Sequence, residues 1–219
     1  MKIEIVQPSD IEKQSMSVIE QELQHYDISR FTPKEKQILK RVIHTTADFD
    51  YVQNLCFSEN AVDRVLSVLK GKNAVIVTDT KMAMSGISKP ALSKLNCEIH
   101  CFVSDNDVIQ QAKKRNVTRA VVAMEKAVHL FKDRNIIFVI GNAPTALIRL
   151  YEMIEEKTIS PSLVIGVPVG FVNVVQSKAL ILSTDTDYIV AEGRKGGSTV
   201  AVSICNALLY QLYDRNESS

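Results

Sequence analysis

Residues 136–158, IIFVIGNAPTALIRLYEMIEEKT, contain the pattern that decides the fold class. A run of apolar residues rich in isoleucine, closed by Gly141 and Asn142, is typical of a buried strand. From Pro144 onward the apolar residues recur at helical spacing, and proline is favoured at the first position of a helix. A buried strand that leads directly into a helix is the repeating unit of a parallel sheet.

The same alternation occurs on both sides of this segment. Four further strands are predicted in AVIVTD (74–79), CEIHCFV (97–103), SLVIGVP (162–168) and TDYIVAEG (186–193). Helical periodicity marks DVIQQAKKRN (107–116), RAVVAMEKAVHLFKD (119–133) and TVAVSICNALLYQLYD (199–214). The pattern predicts an α/β fold with a mostly parallel sheet and helices on both of its faces.

The first seventy residues instead predict helices. The first is expected after a cap at Ser9 or Asp10, the second after Thr32 and Pro33, and the third from Ser58 to Gly71. We expect one domain over residues 1–219, with a helical N-terminal segment at about 9–71 and an α/β core at about 72–214.

The composition is that of an ordinary globular protein. The 219 residues are 46% apolar and 23% charged, and 26 Lys and Arg balance 25 Asp and Glu, which leaves a formal charge of +1. Because this balance gives no whole-protein attraction to phosphates or lipid headgroups, we expect neither nucleic acid nor membrane as a partner.

The four cysteines, at positions 56, 97, 101 and 205, show no CxxC spacing and no nearby pair of histidines. This argues against a structural zinc site, and no other metal-ligand cluster is evident. The N-terminal residues lack the apolar stretch of a signal peptide, and no apolar run approaches the roughly 18 residues of a membrane span. We expect a cytoplasmic protein with reduced cysteines.

The segment GRKGGS, residues 193–198, gives the strongest local signal for a binding site. It follows a predicted strand, where ligands gather in open α/β sheets. Adjacent glycines let backbone N–H groups approach a ligand, Ser198 can cap the next helix, and Arg194 and Lys195 add positive charge. A carboxylate or phosphate cradle is one interpretation; a strand-to-helix turn with two solvated charges is the other.

The turn at 141–145, GNAPT, also follows a strand. Asn142 and the free backbone amides can hold a ligand carboxylate. The same residues also make a common strand-to-helix turn, and both interpretations remain open.

His44 is the candidate proton donor. It lies in RVIHTTAD, residues 41–48, where Arg41 and His44 share a helix face and Asp48 is expected one turn further on. Histidine exchanges protons near neutral pH, and a neighbouring arginine can bind a negatively charged substrate. The alternative is a helix-end histidine beside a surface ion pair.

These three motifs, together with two further segments that follow strands, resemble a known enzyme family. All five, in order, are similar to segments of the precorrin-8X methylmutase family, also called precorrin isomerase: RVIHTTADF (41–49), VTDTKMAMSGI (77–87), GNAPTAL (141–147), GVPVGFV (166–172) and GRKGGSTVAV (193–202). Their span of about 160 residues makes the resemblance specific.

The resemblance implies a homodimeric α/β isomerase of cobalamin (vitamin B12) biosynthesis. Such an enzyme moves a methyl group from C11 to C12 of a tetrapyrrole and needs no cofactor or protein-bound metal. The substrate is precorrin-8X, which gives hydrogenobyrinic acid, or cobalt-precorrin-8, which gives cobyrinic acid. The sequence leaves open which of the two is used.

The resemblance also assigns roles to residues. His44 matches the family's proton-handling histidine, while Arg41 and Ser15 match substrate-contacting residues. The remaining candidate substrate-binding residues are Thr80, Arg119, Asn142, Arg194, Lys195 and Ser198. One departure is Gln176, which precedes Ser177 and Lys178 where the family commonly has an acidic residue.

Two other functions remain as alternatives. The protein is then either a tetrapyrrole carrier without catalytic activity or a nucleotide-binding α/β domain that uses GRKGGS as its phosphate loop. The spacing of that loop fits neither GxxxxGK[ST] nor GxGxxG, which disfavours the nucleotide-binding alternative.

Overall fold

The computed structural model describes residues 7–71 and 73–213. The predicted end of the core at 214 lies outside these residues. The N-terminal part contains α1 (Pro8–Leu23), α2 (Pro33–Thr46), α3 (Tyr51–Asn54), β1 (Leu55–Phe57) and α4 (Ala61–Lys70). The next part contains β2 (Ala74–Thr78), α5 (Lys81–Gly86), α6 (Lys89–Lys94), β3 (Glu98–His100), α7 (Asn106–Arg115) and α8 (Arg119–Phe131). The last part contains β4 (Asn135–Ile140), α9 (Pro144–Glu155), β5 (Leu163–Gly166), α10 (Val174–Leu182), β6 (Tyr188–Ala191) and α11 (Ser198–Tyr210).

The strands form one sheet in the order β1-β6-β5-β4-β2-β3. The five strands from β2 to β6 are mutually parallel, and β1 pairs antiparallel with β6 at one edge. The predicted mostly parallel α/β fold is therefore confirmed.

Two hydrophobic clusters cover the two faces of the sheet. Alternate residues of β4 point to opposite sides: Ile137 and Val139 pack with α2, α4 and α11, whereas Ile136, Phe138 and Ile140 pack with α7, α8 and α9. This alternation is the period of two of a strand that is buried on both faces. It explains why the sequence of β4 is uninterruptedly apolar.

Three local predictions for the N-terminal segment are wrong. Residues 55–57 form β1 rather than helix, because their backbone pairs with residues 189–191 from the far end of the chain. The first helix begins at Pro8, before the predicted caps, since proline suits the first helical position. The third begins at Ala61 rather than Ser58, whose hydroxyl instead donates to Asp187 at 3.1 Å.

The second helix begins as predicted. Thr32 accepts a hydrogen bond from the backbone of Glu35, whose carboxylate accepts one from the backbone of Thr32, so the two residues form a capping box. Ala47 ends α2 in a left-handed conformation with φ of 52°. This end places His44 in the last turn of the helix, on its exposed side.

Candidate active site

A cavity of about 320 Å³ lies where α2, α5 and α11 meet. Three of the predicted site residues, Arg41, His44 and Ser198, line it. The other lining residues are Thr45, Met82, Gly86, Thr199, Val202, Ser203, Asn206 and Tyr210. The cavity therefore combines an imidazole, a guanidinium and several hydroxyls with an apolar wall.

Ser15 on α1 contacts His44 on α2. The Ser15 hydroxyl oxygen lies 2.8 Å from Nδ1 of His44, which is a hydrogen bond. When the hydroxyl donates to Nδ1, the neutral imidazole carries its proton on Nε2. The arrangement thus suits a histidine that presents an N–H to a ligand.

Arg41 is held by residues from both ends of the chain. Its guanidinium pairs with Glu12 at 2.6 Å and lies 5.6 Å from the centre of the Tyr210 ring. The predicted extension of this helix face to Asp48 is wrong, because α2 ends at Thr46 and the left-handed Ala47 turns the chain away.

Thr80 and Ser198 meet across the carboxyl edge of the sheet. Their hydroxyl oxygens are 2.9 Å apart, and Thr80 also caps α5 by accepting from the amide of Ala83. The prediction that Ser198 caps the last helix is wrong: the cap is Gly197, at φ of 129°, and Ser198 is the first helical residue. Its hydroxyl is therefore directed to Thr80.

The backbone amides at 141–143 are not free, so of the two interpretations of this turn the structure supports the strand-to-helix turn. The buried carboxylate of Asp79 accepts hydrogen bonds from Gly141, Asn142 and Ala143 at 3.0, 2.8 and 2.7 Å. Burial raises the pKa of Asp79, and the three amide hydrogen bonds oppose that rise. Asp79 thereby fixes the turn that packs against Ser198, where a β-carbon on Gly141 would lie only 2.7 Å from the Ser198 Cα atom.

The glycine-rich loop at 193–197 directs part of its backbone inward. Gly197 donates its N–H to the carbonyl of Val167 at 2.8 Å, so this amide is not available to a ligand. Gly196 lies so close that a β-carbon would be 2.1 Å from the same carbonyl oxygen. This close approach explains the glycine at position 196.

The two cations of that loop have different environments. Lys195 contacts Asp48 at 2.5 Å and Asp50 at 2.6 Å, and these hydrogen bonds raise its pKa. Arg194 is exposed, with its guanidinium 5.5 Å from the centre of the Phe171 ring. Arg194 can therefore reach a ligand directly, whereas Lys195 must first exchange a carboxylate partner.

Arg119 and Asn142 lie apart from the cavity. Arg119 is exposed at the start of α8, and the Asn142 side chain is exposed after β4. Within residues 7–71 and 73–213, the cavity lining includes neither of them. Their assignment as substrate-binding residues stays a prediction.

The model of the precorrin-8X methylmutase family matches residues 10–211. The chain belongs to this family. Cobalt-precorrin-8 methylmutase of Leptospira interrogans is 41% identical over 95% of this chain and 96% of that protein. The protein of the same name from Salmonella typhimurium is also 41% identical, over 95% of this chain and 97% of that protein. The solved structure of precorrin-8X methyl mutase from Thermus thermophilus has a TM-score of 0.81 and 34% identity, and covers 91% of this chain and 96% of that chain.

One face of α11 supplies site residues of this methylmutase that the sequence analysis missed. Val202, Asn206 and Tyr210 follow Ser198 at intervals of four and line the same cavity. Because residues four apart share a helix face, the assignment of Ser198 to the site would have predicted that these three residues also face it. The structural role of Asp79 was harder to predict, since a single aspartate after a strand does not indicate which backbone amides it accepts hydrogen bonds from.

The described part of this methylmutase comprises residues 7–71 and 73–213. Among these residues, no group of three or more His, Cys, Asp or Glu side chains is placed to hold a metal ion. None of their helices combines the length and the apolarity needed to cross a membrane.

Proposed function

We propose that this protein catalyses the C11-to-C12 methyl shift of cobalamin biosynthesis. The observation that carries the proposal is the Ser15–His44 hydrogen bond beside a cavity that Arg41 and Ser198 also line. This arrangement places a proton donor, His44, beside the hydroxyl of Ser15 that orients it and the guanidinium of Arg41. The family membership of the chain supports the same conclusion.

His44 acts as the general acid in this proposal. In the imidazolium form, Nδ1–H donates to the Ser15 hydroxyl and Nε2–H protonates or hydrogen-bonds a ring nitrogen of the substrate, which draws electron density away from C11 and favours migration of the methyl group. Once the C12–methyl bond has replaced the C11–methyl bond, the proton returns to His44. Product and substrate are isomers, so the step requires neither an oxidant nor a co-substrate, and we propose that the enzyme uses no cofactor.

Arginine and lysine side chains bind the carboxylate rim of the substrate. Arg41 reaches the cavity itself, and Arg194 and Lys195 extend the positive charge along the loop before Ser198. Guanidinium groups bind carboxylates in a fixed, bidentate geometry, so Arg41 and Arg194 also orient the macrocycle.

Cobalt-precorrin-8 is the proposed substrate. Both relatives described above, at 41% identity over nearly their whole length, bear the name of cobalt-precorrin-8 methylmutase. Cobalt is then part of the substrate, and the product is cobyrinic acid.

We further propose that the active unit is a homodimer whose partner completes the site. The cavity of about 320 Å³ is at the lower end of the range for small-molecule sites, whereas a tetrapyrrole with its carboxylate side chains is large. Beside the 193–197 loop, Phe171 and Val172 are 84% and 77% exposed. A second subunit that covers these apolar side chains also provides the missing wall.

The cytoplasm is the proposed location. All four cysteines, which lie within the described residues, are free thiols, as is usual in a reducing compartment.

The test is turnover by catalytic amounts of purified protein. Cobalt-precorrin-8 and precorrin-8X are each supplied in large excess, and the change in absorption spectrum is followed with and without EDTA. Conversion of many equivalents, faster for the cobalt substrate and insensitive to EDTA, is expected. Binding of the tetrapyrroles without conversion of either one indicates a carrier, and faster conversion of precorrin-8X overturns the substrate assignment.

Dilution of the protein tests the dimer. Specific activity is expected to fall as light scattering shows the dimer dissociating. A monomer that keeps full activity at every concentration contradicts a shared site.

A further inference from the structure

We propose that Lys178 is a positioning residue, which holds the 193–197 loop in its substrate-binding conformation by donating hydrogen bonds from one buried ammonium group to two of its carbonyls. This inference rests on the proposed role of that loop in binding substrate carboxylates.

Lys178 lies on α10, underneath the loop. Its side chain is only 1% exposed, and Nζ donates to the carbonyls of Gly193 and Lys195, each at 2.8 Å. These two carbonyls flank Arg194, so one ammonium group fixes the backbone on both sides of the exposed guanidinium. These two hydrogen bonds thereby fix the backbone orientation from which the Arg194 side chain extends.

The rest of the loop is fixed from a different side. The carbonyl of Arg194 accepts from the amide of Gly170 at 3.2 Å, and Gly197 donates to Val167 at 2.8 Å. Ser198, which lines the cavity and contacts Thr80, follows immediately. Residues 193–195, which carry the cations, are thus held by Lys178 at two carbonyls and by Gly170 at one, whereas Gly197 is held by Val167.

Packing alone does not account for a lysine at this position. Burial is the sole cause of the lowered pKa of Lys178, about 8, and within the described residues no carboxylate hydrogen-bonds to its ammonium group. A buried cation without an anionic partner is costly, and methionine would fill a similar volume without that cost. What lysine adds is several N–H donors at one point, together with a positive charge beneath an anion-binding loop.

The experiment compares Lys178→Met with the wild-type protein. Assays are run well below the melting temperature of each variant, so that both are folded. We expect KM for the tetrapyrrole to rise by about tenfold while kcat stays within about twofold, because the loop binds the carboxylate rim but does not contact the migrating methyl group. Lys113→Met, an exposed lysine on α7, is the matched control and should leave both constants unchanged.

Hydrogen exchange provides a readout that does not depend on turnover. In the free protein, backbone amides at 193–197 should exchange faster in Lys178→Met than in wild type, with no change in the helices that form the cavity. If Lys178→Met does not fold, Lys178→Gln replaces it with the same expectations.

The two proposals fail in different ways. A folded variant with wild-type KM and wild-type exchange at 193–197 overturns the role of Lys178. Faster exchange in a protein whose wild type converts neither substrate overturns the proposed function and leaves the anchoring role standing.

Discussion

The hydroxyl of Ser15 lies 2.8 Å from Nδ1 of His44, although 29 residues separate them along the chain. The contact joins α1 to the last turn of α2, where the imidazole is exposed beside the cavity. A histidine in this position has one nitrogen committed to the protein and the other available to a ligand. This division of roles underlies the first two predictions.

Replacement of His44 by alanine should abolish methyl migration and leave the fold intact. The side chain is exposed, so its loss removes the proposed proton donor without opening the core. We expect kcat to fall by at least about 100-fold, with little change in melting temperature. His25→Ala, an exposed histidine near the end of α1, is the control. Near-wild-type turnover by a folded His44→Ala protein would refute the assignment.

Replacement of Ser15 by alanine should slow the reaction without abolishing it. The imidazole keeps its proton donor but loses the hydrogen bond that orients it, so kcat should fall by about fivefold while KM changes little. Ser17→Ala on the same helix is the matched control, because Ser17 is exposed. Equal kcat values for the two variants would show that the Ser15 contact has no part in catalysis.

The double replacement of Arg194 and Lys195 by alanine should weaken substrate binding. KM should rise roughly fivefold, and its dependence on salt concentration should become shallower because two screened charge contacts are lost. Lys113→Ala combined with Lys114→Ala removes the same charge from the exposed end of α7. If both double variants show the same KM and salt dependence, the loop charges are solvated and do not bind substrate.

Replacement of Asp79 by asparagine should destabilise the fold. The carboxylate accepts hydrogen bonds from three backbone N–H groups. An asparagine NH2 group in the same place is itself a donor and cannot accept them. We expect the free energy of unfolding to fall by about 3 kcal/mol. Urea denaturation measures this, with exposed Asp133→Asn as the control. A change of less than about 0.5 kcal/mol would contradict the structural role of Asp79.

Alkaline pH should stabilise the wild-type protein relative to Lys178→Met. Burial lowers the pKa of Lys178 from 10.5 to about 8, so at pH 7 the ammonium is charged in both the folded and the unfolded state and its desolvation cost is present in full. Above pH 8 the folded state loses the proton first, the unfolded state binds more protons, and stability rises with pH. We expect a gain of about 2 to 3 kcal/mol between pH 7 and pH 10.

Urea titrations of both proteins at the two pH values measure this difference. Parallel changes in the wild type and in Lys178→Met would mean that Lys178 titrates near its ordinary pKa.

The sequence revealed those parts of the molecule that depend on local periodicity. β4 was predictable because its continuous apolar run reflects burial on both faces of the sheet. α9 was predictable because its 3.6-residue apolar repeat reflects burial of one helix face. β1 was not, since residues 55–57 become a strand only by pairing with residues 189–191. His44 was recognisable from its motif, whereas the bonding of Asp79 and Lys178 to backbone groups of distant loops leaves no pattern in nearby residues.

The pairing of β1 with β6 also affects the order in which the protein is assembled during synthesis. Residues 55–57 leave the ribosome early, but Ala191, the partner of Leu55, is made more than a hundred residues later. The face of α11 that lines the cavity follows later still. The segment that carries Ser15, Arg41 and His44 can therefore complete its packing only when nearly the whole chain has been made. A translation product that stops before residue 198 contains His44 but not the wall of the cavity that α11 forms.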